Sequence, residues 1–233
     1  MAEALHVLSA GAAKAVVNGV AEAEGVRIRA EFGAVGAMQE RLLAGAPCDV
    51  LVLTRAMLDA LAARGAVDAA TVADLGRVHT SIGLPSRALQ GHAAPSMRDS
   101  AGLRAVLASA SGLYVPDLTK STAGQHVARV LEGLGLRAAL ADRLREFPNG
   151  AAAMRAMAES GDAAAVGCTQ ESEIRYTEGV TFVDRLPAPY ELSTVYAVGM
   201  TVGTVDGAAA RRFLAALAGE GSRQSREQAG FET

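Results

Sequence analysis

Short apolar runs alternate with amphipathic stretches along the first part of the chain. We predict strands and following helices, in pairs, at LHVLS with 12–24, VRIRAEF with 36–44 and CDVLVLT with 55–64. Strands that alternate with helices in this way favour a mostly parallel sheet covered by helices on both faces. The pattern therefore predicts an α/β fold.

The same α/β pattern restarts after a long predicted strand, RVHTSIGLP, and a loop rich in Pro, Ser and Gly over 85–102. In the second set we predict strands at GLYVP, LREFP, AAAVGCT and GVTFVDRL, and helices near 122–134, 150–159 and 170–175. The strand STVYAVGMTV and a helix near 207–218 precede a polar tail.

Two long strands, near 77–84 and 193–202, separate the two α/β sets and indicate that the chain crosses twice between two lobes. The predicted first lobe comprises 1–78 and 196–233, and the second lobe comprises 79–195. In such a fold the carboxyl ends of strands and the starts of helices would line an interlobe cleft, where α/β proteins usually bind ligands.

Composition excludes several classes of partner. The chain has 233 residues, of which 50% are apolar and 20% charged, and its net charge is -3. It therefore lacks the basic field that nucleic acid binding needs, and no apolar run is long enough for membrane insertion. Neither the cysteines nor the histidines have metal-ligand spacing, so we expect no metal and no cofactor; these residues are Cys48, Cys168, His6, His79, His92 and His126.

The start of the chain bears on localisation. The first predicted strand begins a few residues after Met1, which leaves no room for a secretory signal peptide. As written, the chain is expected to be cytoplasmic. If Met1 replaces a removed signal peptide, the expectation becomes periplasmic.

Four loops of small residues follow predicted strands and precede predicted helices: SAGAAK, FGAVGA, PDLTKSTAG and FPNGAA. Small residues let backbone N–H groups approach a ligand, and helix starts favour negative charge. Any one of these loops can be a simple tight turn, but together they predict a shared anion site. The candidate ligand-binding residues are Ser9, Ala10, Gly11, Ala12, Lys14, Ala34, Val35, Gly36, Lys120, Ser121, Thr122, Ala123, Ala151, Thr169 and Gln170.

The two lysines support this interpretation. Of the 22 basic residues, only Lys14 and Lys120 are lysines, and each lies in one of these loops. Two cations from different lobes suit a carboxylate or oxyanion. A simpler interpretation is a chance placement of rare lysines, and Ser121 or Thr122 can serve only as a helix cap.

The loops also resemble a known family. VLSAGA, FGAVGAMQERLLAGAPCDVLVL, PDLTKSTAGQHVARVLEGLGL, GDAAAVGCTQESEI and EQAGFE resemble the molybdate-binding branch of the periplasmic solute-binding proteins, in this order and over nearly the whole chain. The resemblance implies a two-lobed type II periplasmic-binding-protein fold with two crossing strands. It also implies a small anionic ligand and, for an exported protein, an ABC permease as partner.

The chain departs from that family at the ligand. The resemblance implies two serine hydroxyls and a tyrosine as oxyanion ligands, and the matching positions here are Ala12, Val35 and Thr169. Each unreplaced buried hydrogen bond costs about 1 to 3 kcal/mol, so molybdate is not the expected ligand. Ser9 or Ser121 would stand in for a missing serine if the match shifts by a residue.

Three functions remain open. The first is a solute-binding protein for a small anion, an organic carboxylate rather than molybdate. The second is an isomerase of an unsaturated di- or tricarboxylic acid, because the chain is also similar to aconitate isomerase of the same fold; its base and cationic clamp would come from Lys14, Lys120, Tyr114 or Glu173. The third is a ligand-sensing module for a protein partner. Whether the protein is an enzyme stays undecided, and no catalytic residue is assigned.

Overall fold

A computed structural model describes residues 4–91 and 93–233 of the chain; Met1 and His92, both considered above, lie outside them. The nine strands of the described part are β1 Leu5–Ala10, β2 Ile28–Gly33, β3 Val50–Thr54, β4 Ala73–Pro85, β5 Leu113–Pro116, β6 Leu144–Phe147, β7 Val166–Gln170, β8 Val180–Arg185 and β9 Ser193–Met200. Its nine α-helices are α1 Lys14–Ala23, α2 Val35–Leu43, α3 Arg55–Ala63, α4 Ser100–Ser109, α5 Thr122–Gly133, α6 Gly150–Glu159, α7 Glu171–Tyr176, α8 Gly207–Ala218 and α9 Arg223–Gln228.

The chain forms two compact units. The first unit comprises Met1–Val78 and Thr194–Thr233, and the second unit comprises His79–Ser193. The chain leaves the first unit within β4 and returns to it at the start of β9. The first unit is therefore built from two separate segments, whereas the second is continuous.

In the first unit, β1 lies between β2 and β3 and is parallel to both, while β9 pairs with β3 in the antiparallel sense. Every residue of β3 is buried, which explains the uninterrupted apolar sequence VLVL. The edge strand β2 instead alternates between exposed and half-buried residues. Helices α1, α3 and α8 contribute apolar side chains to the core of this sheet, including Val17, Leu58 and Phe213.

In the second unit, β5 is parallel to β6 and β7, and β4 pairs with β7 and β8 in the antiparallel sense. Ile82 of β4 lies opposite Cys168 of β7, and both belong to the core that α4 and α5 cover. Gly167 faces α6, because a Cβ at this position would lie 2.4 Å from the Met154 Cε. The two faces of β7 thus contact different helices.

The predicted elements are present, and two helices were missed. The sequence predicts a loop over 85–102 and no helix after it, but α4 begins at Ser100, capped by the Asp99 carboxylate, which accepts the Gly102 N–H at 2.8 Å. The polar tail contains α9, held by Arg226, which donates to the Leu217 carbonyl at 2.8 Å. None of the helices of the described residues is long and apolar enough to cross a membrane.

Candidate functional site

The first unit brings two of the predicted loops to one edge of its sheet. Ala10 and Gly33, the last residues of β1 and β2, are register partners. The 3-10 turn Gly11–Ala13 follows Ala10, and α2 follows Ala34. In the described structure no side chain caps either start. Because the first N–H groups of a helix have no partner within it, this edge carries backbone donors suited to an anion.

Lys14 adds a cation at the same edge. Its Nζ lies 5.7 Å from the centroid of the Phe32 ring, and Phe32 is the register partner of Ser9. The half-buried Lys14 side chain therefore extends from the start of α1 toward the end of β2. Ser9, Ala10, Gly11, Ala12, Lys14, Ala34, Val35 and Gly36 all belong to this part of the first unit.

The hydroxyl groups of this edge do not point to a ligand. Ser9 is fully buried, and its Oγ donates to the Ala10 carbonyl oxygen at 3.0 Å. Ala12 and Val35 are 4% and 8% exposed and have no polar side-chain atom. Backbone N–H groups and the Lys14 ammonium are thus the groups of this edge whose chemistry suits an anion.

In the second unit, the loop before α5 is organised around Asp117. The Asp117 Oδ1 accepts the N–H groups of Thr119 and Lys120, each at 2.8 Å. Burial opposes the charge of this carboxylate, but its hydrogen bonds prevail and lower its pKa. Ser121 caps α5 by accepting the Gly124 N–H, so its hydroxyl has the structural role considered above. Thr122 and Ala123 form the first turn of α5, and the Lys120 side chain is exposed.

At the start of α6 the protein places its own carboxyl group. The Glu173 Oε2 accepts the Thr169 hydroxyl at 2.6 Å, and the backbone N–H groups of Gly150, Ala151 and Gln170 also stabilise the charge of this carboxyl group. Glu173 is 5% exposed. Of the predicted ligand-binding residues, Ala151, Thr169 and Gln170 are therefore brought together, but around Glu173.

Burial raises the pKa of Glu173, and the hydrogen bonds from Thr169, Ala151, Gln170 and Gly150 oppose this shift without reversing it. The neighbouring Glu171 is bound differently, because its carboxylate pairs with Arg175 at 2.8 Å and Arg185 at 3.0 Å. One buried carboxyl group is thus held by neutral donors and the other by cations.

Gln170 and Thr80 form a second polar feature of this unit. They are register partners on β7 and β4, so their side chains share one face of the sheet, and they are 2% and 1% exposed. Within the part of the chain that the structure describes, the Gln170 amide atoms and the Thr80 hydroxyl have no hydrogen-bond partner. Such groups are rare in folded proteins and suggest a ligand or ordered water. Sequence reasoning missed Thr80, because only the pairing of β4 with β7 reveals it.

Other candidates have structural roles. The Tyr114 ring stacks on Phe147 with centroids 5.8 Å apart, and His126 Nε2 is 2.7 Å from the Tyr190 carbonyl oxygen. Burial lowers the pKa of His126. Burial also raises the pKa values of Cys48 and Cys168 to about 12. In residues 4–91 and 93–233, no group of three or more histidine, cysteine or acidic residues could hold a metal ion.

Comparison with known proteins identifies the family. Residues 5–232 match the family model of the bacterial extracellular solute-binding proteins. The chain belongs to this family. Among curated proteins, none matches the sequence significantly.

Solved structures of this solute-binding family's fold cover nearly the whole chain. The periplasmic molybdate-binding protein of Azotobacter vinelandii shares 18% identity, covers 98% of this chain and 99% of its own, and gives a TM-score of 0.76. A domain from Clostridium difficile, assigned as the substrate-binding domain of a molybdenum ABC transporter, shares 19% identity over 98% of both chains with a TM-score of 0.67. The sulfate-binding protein of Mycobacterium tuberculosis shares 16% identity over 99% of this chain and 86% of its own, with a TM-score of 0.69.

These similarities confirm the predicted type II periplasmic-binding-protein fold and the resemblance to the molybdate-binding branch, from which the chain has diverged. At such low identity they establish the fold and leave the ligand to the chemistry of the site.

Proposed function

We propose that this solute-binding protein captures a small organic anion that carries a carboxylate, and that molybdate is not its ligand. The observation that carries the proposal is the edge of the first unit, where two uncapped helix starts lie beside Lys14. Backbone N–H groups and an ammonium group together stabilise a carboxylate. The chemistry thus favours an anion without requiring a side-chain hydroxyl.

The apolar side chains of Ala12 and Val35 support an organic ligand. A tetrahedral oxyanion has four oxygens that lose their hydration on binding, and each one left without a replacement bond costs about 1 to 3 kcal/mol. The methyl groups of Ala12 and Val35 cannot replace such bonds. Carbon atoms of an organic anion can pack against them without that cost.

The family supports a transport role. A solute-binding protein that functions outside the cytoplasmic membrane would deliver its ligand to an ABC permease, and a similar structure is assigned to a molybdenum ABC transporter. For this chain we propose the periplasm as the working compartment and a permease as partner.

Thermal-shift measurements with acetate, citrate, the aconitate isomers, sulfate and molybdate test the proposal, because a ligand that binds the native state raises its melting temperature. We expect stabilisation by at least one carboxylate and none by molybdate. Stabilisation by molybdate alone, or by none of these anions, would refute the proposal.

Lys14→Met tests the cation. Loss of a charge-assisted hydrogen bond is expected to weaken binding of the identified carboxylate by about 1.5 to 3 kcal/mol, or roughly 10-fold to 150-fold. Arg64→Met is the matched control. Arg64 is an exposed basic residue of the same unit, and it lies at the C-terminal end of α3 rather than at the start of a helix. Isothermal titration calorimetry on both variants measures the difference, and equal affinities would remove Lys14 from the site.

The isomerase alternative has weaker support. A general base needs a lone pair directed at the substrate, whereas the Glu173 carboxyl group already accepts hydrogen bonds from four donors. The isomerase therefore stays a prediction, tested by exchange of protons from a bound carboxylate into deuterated water.

A further inference from the structure

Protein atoms occupy the first turn of α6. The N–H groups of Gly150 and Ala151 stabilise the charge of the Glu173 carboxyl group. The Ala152 N–H is accepted by the Asn149 Oδ1 at 2.9 Å, and the Ala153 N–H makes the first hydrogen bond within the helix, to the Asn149 carbonyl oxygen at 3.1 Å. The first N–H groups of a helix ordinarily have no partner within it. Here protein atoms take up those of Gly150, Ala151 and Ala152.

The Glu173 carboxyl group is held as a bound anion would be held. The Thr169 hydroxyl donates to it, and three backbone N–H groups stabilise its charge; all of these groups are neutral. Glu171, two residues earlier, has two arginine partners and no comparable set of N–H donors in the described structure. The donor set around Glu173 is thus the one that helix starts offer to phosphate, sulfate or carboxylate ligands.

The local sequence is built to admit this carboxyl group. A Cβ on Gly150 would lie 2.0 Å from both the Glu173 Oε2 and the Thr169 Oγ1. Only glycine leaves room for both oxygens at the first position of α6. Thr169 is the second-last residue of β7, and α7, which follows directly, carries Glu173, so the strand and the helix bring the hydroxyl and the carboxyl group together.

From these contacts we infer that Glu173 is a specificity-determining residue whose carboxyl group fills the anion position at the start of α6, so that the second unit recognises its solute through neutral groups. This inference rests on the proposed function and narrows it. Neutral groups of this kind include the Gln170 amide and the Thr80 hydroxyl, which are buried and have no partner in the described structure. They suit a carbonyl, hydroxyl or amide of an organic solute, and they exclude sulfate and molybdate, which need several donors at once.

Chemical rescue of Glu173→Ala tests this inference. Removal of the carboxyl group leaves N–H donors around a space that formate fits. The melting temperature of the variant should therefore rise with the logarithm of the formate concentration. Sodium chloride keeps the ionic strength constant. Thr169→Val is the matched control: it loses the same hydrogen bond but keeps the carboxyl group, and formate should stabilise it no more than the wild type.

If formate fails to stabilise Glu173→Ala selectively, the inference is wrong. Should that variant not fold, sulfate and molybdate titrations of the wild type decide the question. The inference is supported if sulfate and molybdate bind with dissociation constants above about 1 mM, which corresponds to a binding free energy smaller than about 4 kcal/mol. Micromolar dissociation constants would overturn it. The carboxylate screen on the wild type tests the proposed function separately, because a protein that binds no carboxylate can still show formate rescue of Glu173→Ala.

Discussion

Gly124 lies in the first turn of α5, in direct contact with the loop that precedes this helix. A Cβ at this position would lie 2.0 Å from the Asp117 carbonyl oxygen, a backbone atom that cannot move without disturbing the loop. Gly19, in the middle of α1, is exposed, and a Cβ added there would have no neighbouring atom within 4 Å. The two glycines therefore serve different purposes.

Substitution of each glycine by alanine should have opposite effects. We expect Gly124→Ala to lower the free energy of unfolding by about 2 to 4 kcal/mol, because the added methyl group overlaps the backbone. Gly19→Ala should raise it by about 0.5 to 1 kcal/mol, since alanine favours a helix interior. Urea unfolding measures both, and similar effects of the two substitutions would contradict the packing described here.

Individual residues also show which parts of the site can be predicted from the sequence and which cannot. The chain order of small residues sufficed to select Ala10, Lys14 and Ala34, which the first unit places at one sheet edge. It could not show that the Ala151 N–H is occupied by Glu173, because that bond joins two helices. Helix starts can be inferred from a sequence, but their acceptors depend on tertiary contacts.

At the scale of elements, the contact between α6 and α7 links stability to pH. Burial raises the pKa of Glu173 above its ordinary value of 4.5, so the folded state holds a proton at pH values where the unfolded chain has lost it. Because the folded state binds more protons in this interval, the free energy of unfolding falls as the pH rises through it.

We therefore expect the wild type to lose stability relative to Glu173→Gln as the pH rises from 4.5 to the folded-state pKa of Glu173. Above that pKa the difference should become constant, since both states are then ionised. Urea unfolding of both proteins across this pH range measures the difference, in which contributions from the other groups cancel. A pH-independent difference would show that folding does not raise this pKa.

The elements themselves were largely predictable. Helices α6 and α8 coincide with the predicted 150–159 and 207–218, because apolar periodicity and capping residues mark both. Helix α9 was missed since its sequence RQSREQ lacks an apolar stripe, and the buried guanidinium of Arg226 anchors it instead. Helix α4 follows a stretch rich in turn-forming residues, which concealed its start.

At the scale of the whole molecule, the two units differ in how their cores are assembled. The second unit contains its apolar clusters within one continuous segment, which includes Leu113, Val130 and Met154. The core of the first unit needs both of its segments, because Val198 of β9 and Phe213 of α8 pack with the residues of β1 and β3.

A fragment of residues 79–193 should therefore fold without the rest of the chain. We expect a cooperative urea transition and a helical circular dichroism spectrum, because its apolar clusters lie wholly within this segment. The fragment 1–78 lacks β9 and α8 and should remain unfolded. A folded 1–78 fragment, or an unfolded 79–193 fragment, would contradict this assignment of the cores.

The rarity of lysine has a practical consequence for the intact chain. Lys14 lies in the first unit and Lys120 in the second, and arginine supplies every other basic side chain. An amine-reactive fluorophore would thus attach to one side chain in each half of the molecule, apart from the terminal amine. Such labelling would remove the positive charge of Lys14, so it should also weaken the binding of a carboxylate at the edge of the first unit.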